Sequence, residues 1–253
     1  QQVKIKHTVI QPGHSSQHHL GGLYGNMQSA LEYCKDEDLV CYLQDDTQLV
    51  RPLTERDITN IDEIFNQLAH LGFLHPCFIR GINRTRGAEY LYDKDTNLYF
   101  RAPTKRSTGR YFSALLIMKP ERLLQSGWRF ESSEPKNSQQ AEKLFQPMGY
   151  LFSPFAMWLP EVPAYRGKRK TLGLKLAERK RGCGYFPFRQ MTDEEVKALN
   201  DRPSSEIPYA EDFLECVPES PEKPWAYNPL TNTGWIKTLN QIEISVRRLL
   251  KRR

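Results

Sequence analysis

The chain lacks the patterns that mark membrane-spanning, disulfide-bonded and zinc-binding proteins. No apolar run approaches the ~20 residues that a membrane-spanning helix needs. Five cysteines are scattered through the 253 residues, odd in number and without a C-x-x-C pair. This usage predicts reduced thiols in an intracellular protein rather than a disulfide framework or a zinc site. We therefore expect a cytoplasmic protein, with peripheral contact at the inner face of a membrane left open.

Negative charge is in the minority, and the basic excess is concentrated in two places. Lys and Arg number 36 against 30 Asp and Glu, which gives a net charge of +6. Most of the excess lies in residues 166–181 and 247–253. Such segments are either solvated surface or contacts with an anionic partner: a phosphate-bearing substrate, a membrane surface or nucleic acid. Charge alone leaves these alternatives open.

Hydrophobic periodicity predicts an α/β fold. Val3–Ile10 alternates as a strand, the apolar residues of Leu23–Cys34 fall on one helix face, and Leu39–Leu43 is a short apolar strand. Strand, helix and strand in this order predict a parallel βαβ unit. Capping, turn and apolar patterns predict further elements: a helix from Thr54, a strand in Gly72–Gly81, a hairpin turning at Asp93–Asn97, a strand at Phe112–Met118, helices from Pro120 and Ser138, and a helix from Thr192.

The chain is predicted to divide after residue 165. Residues 1–165 form the core, and residues 166–253 form a basic, proline-rich extension that ends in an amphipathic helix from Trp235. We expect residues 202–235, rich in proline and acidic residues, to run as an extended wrap over the surface. The C-terminal helix either packs its apolar stripe on the core or lies on an anionic membrane. We favour packing, because the stripe would otherwise be exposed to water.

Two adjacent aspartates follow the apolar strand Leu39–Leu43. The segment reads LVCYLQDDTQLV, and Asp45 and Asp46 stand just beyond the strand. Ligands of α/β sheets bind at the carboxyl ends of strands, and adjacent carboxylates suit Mg²⁺ or Mn²⁺ shared with a substrate diphosphate. The alternative is structural: Asp45 caps the next turn and Asp46 is solvated.

The residues around these aspartates resemble a known family. Residues 20–50, LGGLYGNMQSALEYCKDEDLVCYLQDDTQLV, are similar to glycosyltransferases of the GT-A type, closest to family 2, with a DXD-like motif at the aspartates. The resemblance implies a Rossmann-like mixed sheet flanked by helices, a nucleotide-sugar donor, Mg²⁺ or Mn²⁺, and a saccharide or lipid-linked acceptor. It also implies that Asp46 is a metal ligand and that Asp45 contacts metal or ribose. Gly22 and Asn26 would lie on the donor side.

A second, shorter similarity covers the acceptor side. Residues 111–132, YFSALLIMKPERLLQSGWRFES, resemble the family's segment that lines this side. In the family, an aspartate at the start of the next helix deprotonates the acceptor hydroxyl, as an inverting displacement requires. Here the expected pair falls near Gln139 and Gln140, so Glu131, Glu134 and Glu142 are the available substitutes. Glu134 is favoured because it is expected in the loop before the helix. Gln139, together with Gln44 before the aspartates, leaves open a retaining mechanism or an inactive scaffold.

Aromatic and basic residues supply the remaining candidates. Trp158 and Tyr165 offer an apolar ring face to a sugar, with core packing as the alternative. Arg166 and Lys168 suit the donor diphosphate, with a solvated turn as the alternative. The family's first nucleoside-binding unit has no counterpart before Val3, so we expect it to be absent or truncated.

The basic run 166–181 predicts a function of a different class, a module that binds polyanions or nucleic acid. No nucleic-acid fold signature accompanies this run, and the two aspartates would have no role in such a module. We therefore place sugar transfer first and expect no nucleic-acid partner.

Overall fold

The structure, a computed structural model, describes most of the chain. The described residues are 22–44, 46–85, 87–103, 110–158, 161–162, 171–173, 175–176, 184–185, 187–217 and 234–250. The predicted strand Val3–Ile10 and the candidates Asp45, Tyr165, Arg166 and Lys168 lie outside the described residues. These five remain predictions.

Short strands and helices alternate along the described chain. The helices are α1 (Leu23–Tyr33), α2 (Glu55–Gln67), α3 (Ile82–Thr85), α4 (Pro120–Gln125), α5 (Glu134–Leu144), α6 (Asp193–Asp201), α7 (Ala210–Phe213) and α8 (Gly234–Leu250). The strands are β1 (Val40–Tyr42), β2 (Thr47–Leu49), β3 (Leu74–His75), β4 (Tyr90–Asp93), β5 (Leu98–Arg101), β6 (Leu116–Met118), β7 (Gly149–Leu151), β8 (Ala156–Trp158), β9 (Glu161–Val162) and β10 (Gly184–Tyr185).

Six strands form one mixed sheet in the order β1-β6-β3-β7-β5-β4. β6 is antiparallel to both of its neighbours, β1 and β3, so these two strands run parallel to each other. β7 is parallel to β3. The carboxyl ends of β1, β3 and β7 therefore meet at one edge of the sheet, the edge at which α/β proteins bind ligands.

A second, two-stranded sheet of β2 and β8 stands beside this edge. Its register pairs Thr47 with Trp158, so the residue after Asp46 lies opposite the end of β8. A bridge between Cys77 and Ala156 joins the chain beyond β3 to the same strand. These pairings bring segments that are distant in sequence next to Asp46.

Helices cover both faces of the sheet, which confirms a mixed α/β fold. On one face, α2 buries Ile61 and Phe65, and residues 187–217 add Leu199 and Ala210 to the same core. On the other face, α1, α4 and α5 pack their apolar residues against the rings of a second core. The division after residue 165 stays a prediction, but residues 202–217 are packed rather than a surface wrap.

Local sequence signals set three of the helix ends. Thr54 and Thr192 form capping boxes with the residues three positions later, and both hydrogen bonds of each box are present. Gly127 ends α4 with a φ of +75°, which favours glycine. The prediction that α5 begins at Ser138 is wrong, because the helix begins at Glu134. Backbone amides in the first turn of a helix have no partner within the helix, so Pro135 is tolerated there.

The expectation that the C-terminal helix packs its apolar stripe is also wrong. Ile236 of α8 is buried, but Trp235 is 61% exposed and Leu249 is 67% exposed. No helix within the described ranges is long and apolar enough to cross a membrane.

Candidate active site

Asp46 is a nearly buried carboxylate at the carboxyl end of β1. Its residue is only 8% exposed, and the turn before it is held by the Thr47 amide, which donates to the Gln44 carbonyl at 3.0 Å. Burial raises the pKa of the Cys77 thiol well above its usual range, and the negative charge of Asp46 adds to that rise. Asp46 is therefore close to the chain that leaves β3.

Thr47 adds an oxygen beside this carboxylate. Its Oγ1 is buried and has no hydrogen-bond partner among the described residues. A buried hydroxyl usually has a partner, so this position suits a ligand oxygen or a bound water. The described residues contain no group of three or more His, Cys, Asp or Glu side chains that could hold a metal.

His75, the last residue of β3, packs between aromatic side chains at the same edge of the sheet. Its ring stacks on Tyr150 with centroids 5.0 Å apart and lies 5.5 Å from the Trp158 ring. Its Nδ1 lies 3.2 Å from the Cys77 amide nitrogen and 3.3 Å from the Cys77 carbonyl oxygen, so the backbone of Cys77 fixes the orientation of the ring. Burial lowers the pKa of His75 to about 4, so the ring is neutral at pH 7.

Arg80 brings a positive charge to the same edge. Its guanidinium lies over the Trp158 ring, 4.1 Å from the centroid, in cation–π contact. Burial is the main cause of the lowered pKa of His75, and the charge of Arg80 lowers it further. The same charge opposes the rise in the pKa of Glu134. Arg80 and His75 were not among the residues predicted from sequence, although both lie in the segment Gly72–Gly81, where a strand was correctly predicted.

Glu134, the first residue of α5, borders this group from the other face. The side chain is exposed to solvent, yet surrounding protein desolvates the carboxylate and raises its pKa. Burial raises the pKa of Tyr24 and of Tyr150 to about 12 in each case, and the charge of Glu134 adds to both. Glu134 therefore lies near Tyr24, Tyr150 and Arg80.

The other candidates are farther from the group or only border it. Glu131 is exposed, and its carboxylate lies 4.0 Å from the Lys136 ammonium on the surface. Gly22 is the N-cap of α1, and the backbone amide of Asn26 donates to the Gly22 carbonyl at 3.1 Å. Tyr24 lies between Gly22 and Asn26 in the sequence. Because the charge of Glu134 contributes to the raised pKa of Tyr24, the start of α1 lies near Glu134.

We call this group of side chains the edge cluster. It consists of Asp46, Thr47, His75, Arg80, Glu134 and Trp158. Of the sequence-predicted residues, Asp46 and Trp158 are brought close by the pairing of β2 with β8, and Glu134 is linked to them through the charge of Arg80. The cluster offers hard oxygens, one guanidinium, one partly desolvated carboxylate and an aromatic ring.

No protein-family model, curated protein or solved structure matches this chain. The resemblance to family-2 glycosyltransferases therefore stays a prediction, and function must be inferred from the edge cluster.

Proposed function

We propose that the protein transfers a glycosyl group, of hexosyl type, from a nucleotide-sugar donor to a hydroxyl of a saccharide or lipid-linked acceptor. One observation carries the proposal: Thr47, the residue after Asp46, pairs with Trp158 at the carboxyl edge of the sheet, and the Arg80 guanidinium covers the ring of the same tryptophan. The charge of Arg80 also acts on the Glu134 carboxylate. Polysaccharide synthesis uses reactions of this class. A GT-A type of fold is part of the proposal.

Asp46, Thr47 and Arg80 would bind the donor diphosphate. The oxygens of Asp46 and Thr47 fit a hard cation, since Mg²⁺ takes only one or two carboxylates when substrate phosphates supply further ligands. Asp45 would be the second carboxylate. When bound, Mg²⁺ or Mn²⁺ would stabilise the negative charge of the leaving diphosphate. The Arg80 guanidinium would donate hydrogen bonds to phosphate oxygens.

Glu134 and Trp158 would act on the acceptor side. The Trp158 ring gives a sugar an apolar face to stack on. Glu134 would accept the proton of the acceptor hydroxyl as its oxygen bonds to the anomeric carbon and the diphosphate departs. Direct displacement of this kind inverts the configuration at the anomeric carbon.

Of residues 166–181, the basis of the polyanion-binding alternative, the structure describes only 171–173 and 175–176. That alternative therefore stays a prediction, and the inactive-scaffold alternative becomes an outcome of the tests below.

Nucleotide binding can be measured as thermal stabilisation of the whole chain. A diphosphate that binds the folded state at a hundredfold excess over its Kd adds about 2.7 kcal/mol, which is about 5–10 °C for this size. We expect one of UDP, GDP or CMP to raise Tm in the presence of Mn²⁺ and to have a much smaller effect without it. Uridine, guanosine and cytidine are the controls. No shift with any nucleotide and no sugar transfer would contradict the proposal.

Glu134→Gln should lower kcat for sugar transfer by about a hundredfold, because the amide cannot accept the acceptor proton. The thermal shift with nucleotide and Mn²⁺ should persist, since Glu134 serves the acceptor. In the wild type, transfer should fall as the pH drops through the Glu134 pKa, and desolvation places this pKa above the usual glutamate range.

Glu131→Gln is the matched control for this prediction. Glu131 lies on the surface beside Lys136, so its variant should keep kcat and the pH profile. Equal losses in both variants, or full activity of Glu134→Gln, would show that Glu134 is not the base.

A further inference from the structure

The C-terminal helix α8 presents an apolar stripe to solvent. A period of 3.6 residues places five of its large apolar side chains on one face of the helix. All five are exposed: Trp235, Ile242, Val246, Leu249 and Leu250. An exposed contiguous stripe of this kind marks an interaction surface.

A different face of α8 is attached to the rest of the chain. The Thr171 hydroxyl donates to Asn240 Oδ1 at 2.7 Å, and the Leu172 amide donates to Glu243 Oε2 at 2.6 Å. Ile236 is buried on this side. The helix is therefore anchored along one face, which leaves the apolar stripe turned outward.

The charge of this segment is almost entirely positive. Its only acidic residue, Glu243, accepts hydrogen bonds from the Leu172 amide and from Arg247, the latter at 2.5 Å. Five of the seven residues from Arg247 to Arg253 are Lys or Arg. The stripe thus ends in a basic segment, and its one carboxylate is held on the attached face.

We propose that α8 lies in the surface of a membrane that contains anionic phospholipids, with the stripe inserted among the lipids and the basic end on their headgroups. Apolar residues on one face and Lys or Arg beside them are the composition of interfacial helices, and anionic lipids attract such basic ends. A parallel pair with a second copy of the chain fits less well, because it would bring two basic ends together. The inference does not depend on sugar transfer.

Flotation of the full chain with lipid vesicles tests this inference. The protein should float with vesicles of phosphatidylcholine and phosphatidylglycerol, remain largely unbound with phosphatidylcholine alone, and dissociate as salt rises. The double variant Ile242→Glu, Leu249→Glu should bind at least about tenfold more weakly, because it places carboxylates in the lipid-facing stripe. Changing Lys251, Arg252 and Arg253 to Gln should weaken binding to the anionic vesicles.

Leu91→Glu is the matched control, since Leu91 is an exposed leucine on β4, away from α8. This variant should float like the wild type, and all variants should keep the wild-type Tm. Failure of the wild type to float with anionic vesicles overturns the inference. The inference is also overturned if light scattering shows a dimer for the wild type and a monomer for the double variant, and neither protein floats.

Discussion

Asp46→Asn is expected to abolish the Mn²⁺-dependent thermal shift with nucleotide and to lower sugar transfer by about a thousandfold. The substitution keeps the shape of a side chain that is only 8% exposed, but it removes the negative charge that would hold the cation. Losing metal stabilisation of the leaving group costs several kcal/mol, and about 4 kcal/mol corresponds to about a thousandfold in rate. Thermal melts with nucleotide and Mn²⁺, followed by transfer assays, measure both effects.

Asp38→Asn is the control: Asp38 precedes the same strand but is exposed, so both the shift and the transfer should persist. A Mn²⁺-dependent shift that survives in Asp46→Asn would mean that the cation binds elsewhere.

Arg202→Met is expected to lower the free energy of unfolding by about 4 kcal/mol. Arg202 is only 7% exposed, and its guanidinium lies 3.9 Å from the centroid of the Phe152 ring. Its Nε donates to the Glu206 carbonyl at 2.8 Å, and its terminal nitrogens donate to the carbonyls of Phe152, at 2.5 Å, and Leu199. Methionine fills similar space but leaves these carbonyls without a donor.

Urea unfolding of Arg202→Met and Arg129→Met provides the comparison. Arg129 is exposed, so its variant should stay within about 0.5 kcal/mol of the wild type. Equal stability of the two variants would mean that residues 187–217 contribute little to the core, and that the chain after residue 165 is the separate extension predicted from sequence.

Rules that act within a few residues explain what could be predicted from sequence. The start of α2 at Thr54, the start of α6 after Thr192 and the end of α4 at Gly127 each depend on a cap or a single backbone conformation. The hairpin turning at Asp93–Asn97 is confirmed for the same reason, since the turn residues determine the register. The error at the start of α5 has a local cause too, because Pro135 permits a helical first turn.

Long-range pairing explains what could not be predicted. The approach of Arg80 to Trp158 depends on β8 pairing with β2 and bridging to Cys77, and these contacts join segments that are distant in sequence. No residue within a few positions of Arg80 specifies that pairing, so its side chain could not be assigned to the edge cluster beforehand. Residues 202–217 resembled a linker because their composition conceals the burial of Arg202, Tyr209 and Leu214.

The sequence by itself determined the α/β class, several helix ends and the position of Asp46 just after a strand, because periodicity, caps and strand ends are properties of neighbouring residues. Only the tertiary structure decided that β6 lies between β1 and β3, that Arg80 covers Trp158 beside the segment of Asp46, and that the stripe of α8 faces solvent. Each of these depends on which distant segments bury one another's apolar surface, and that choice is made by the whole chain at once.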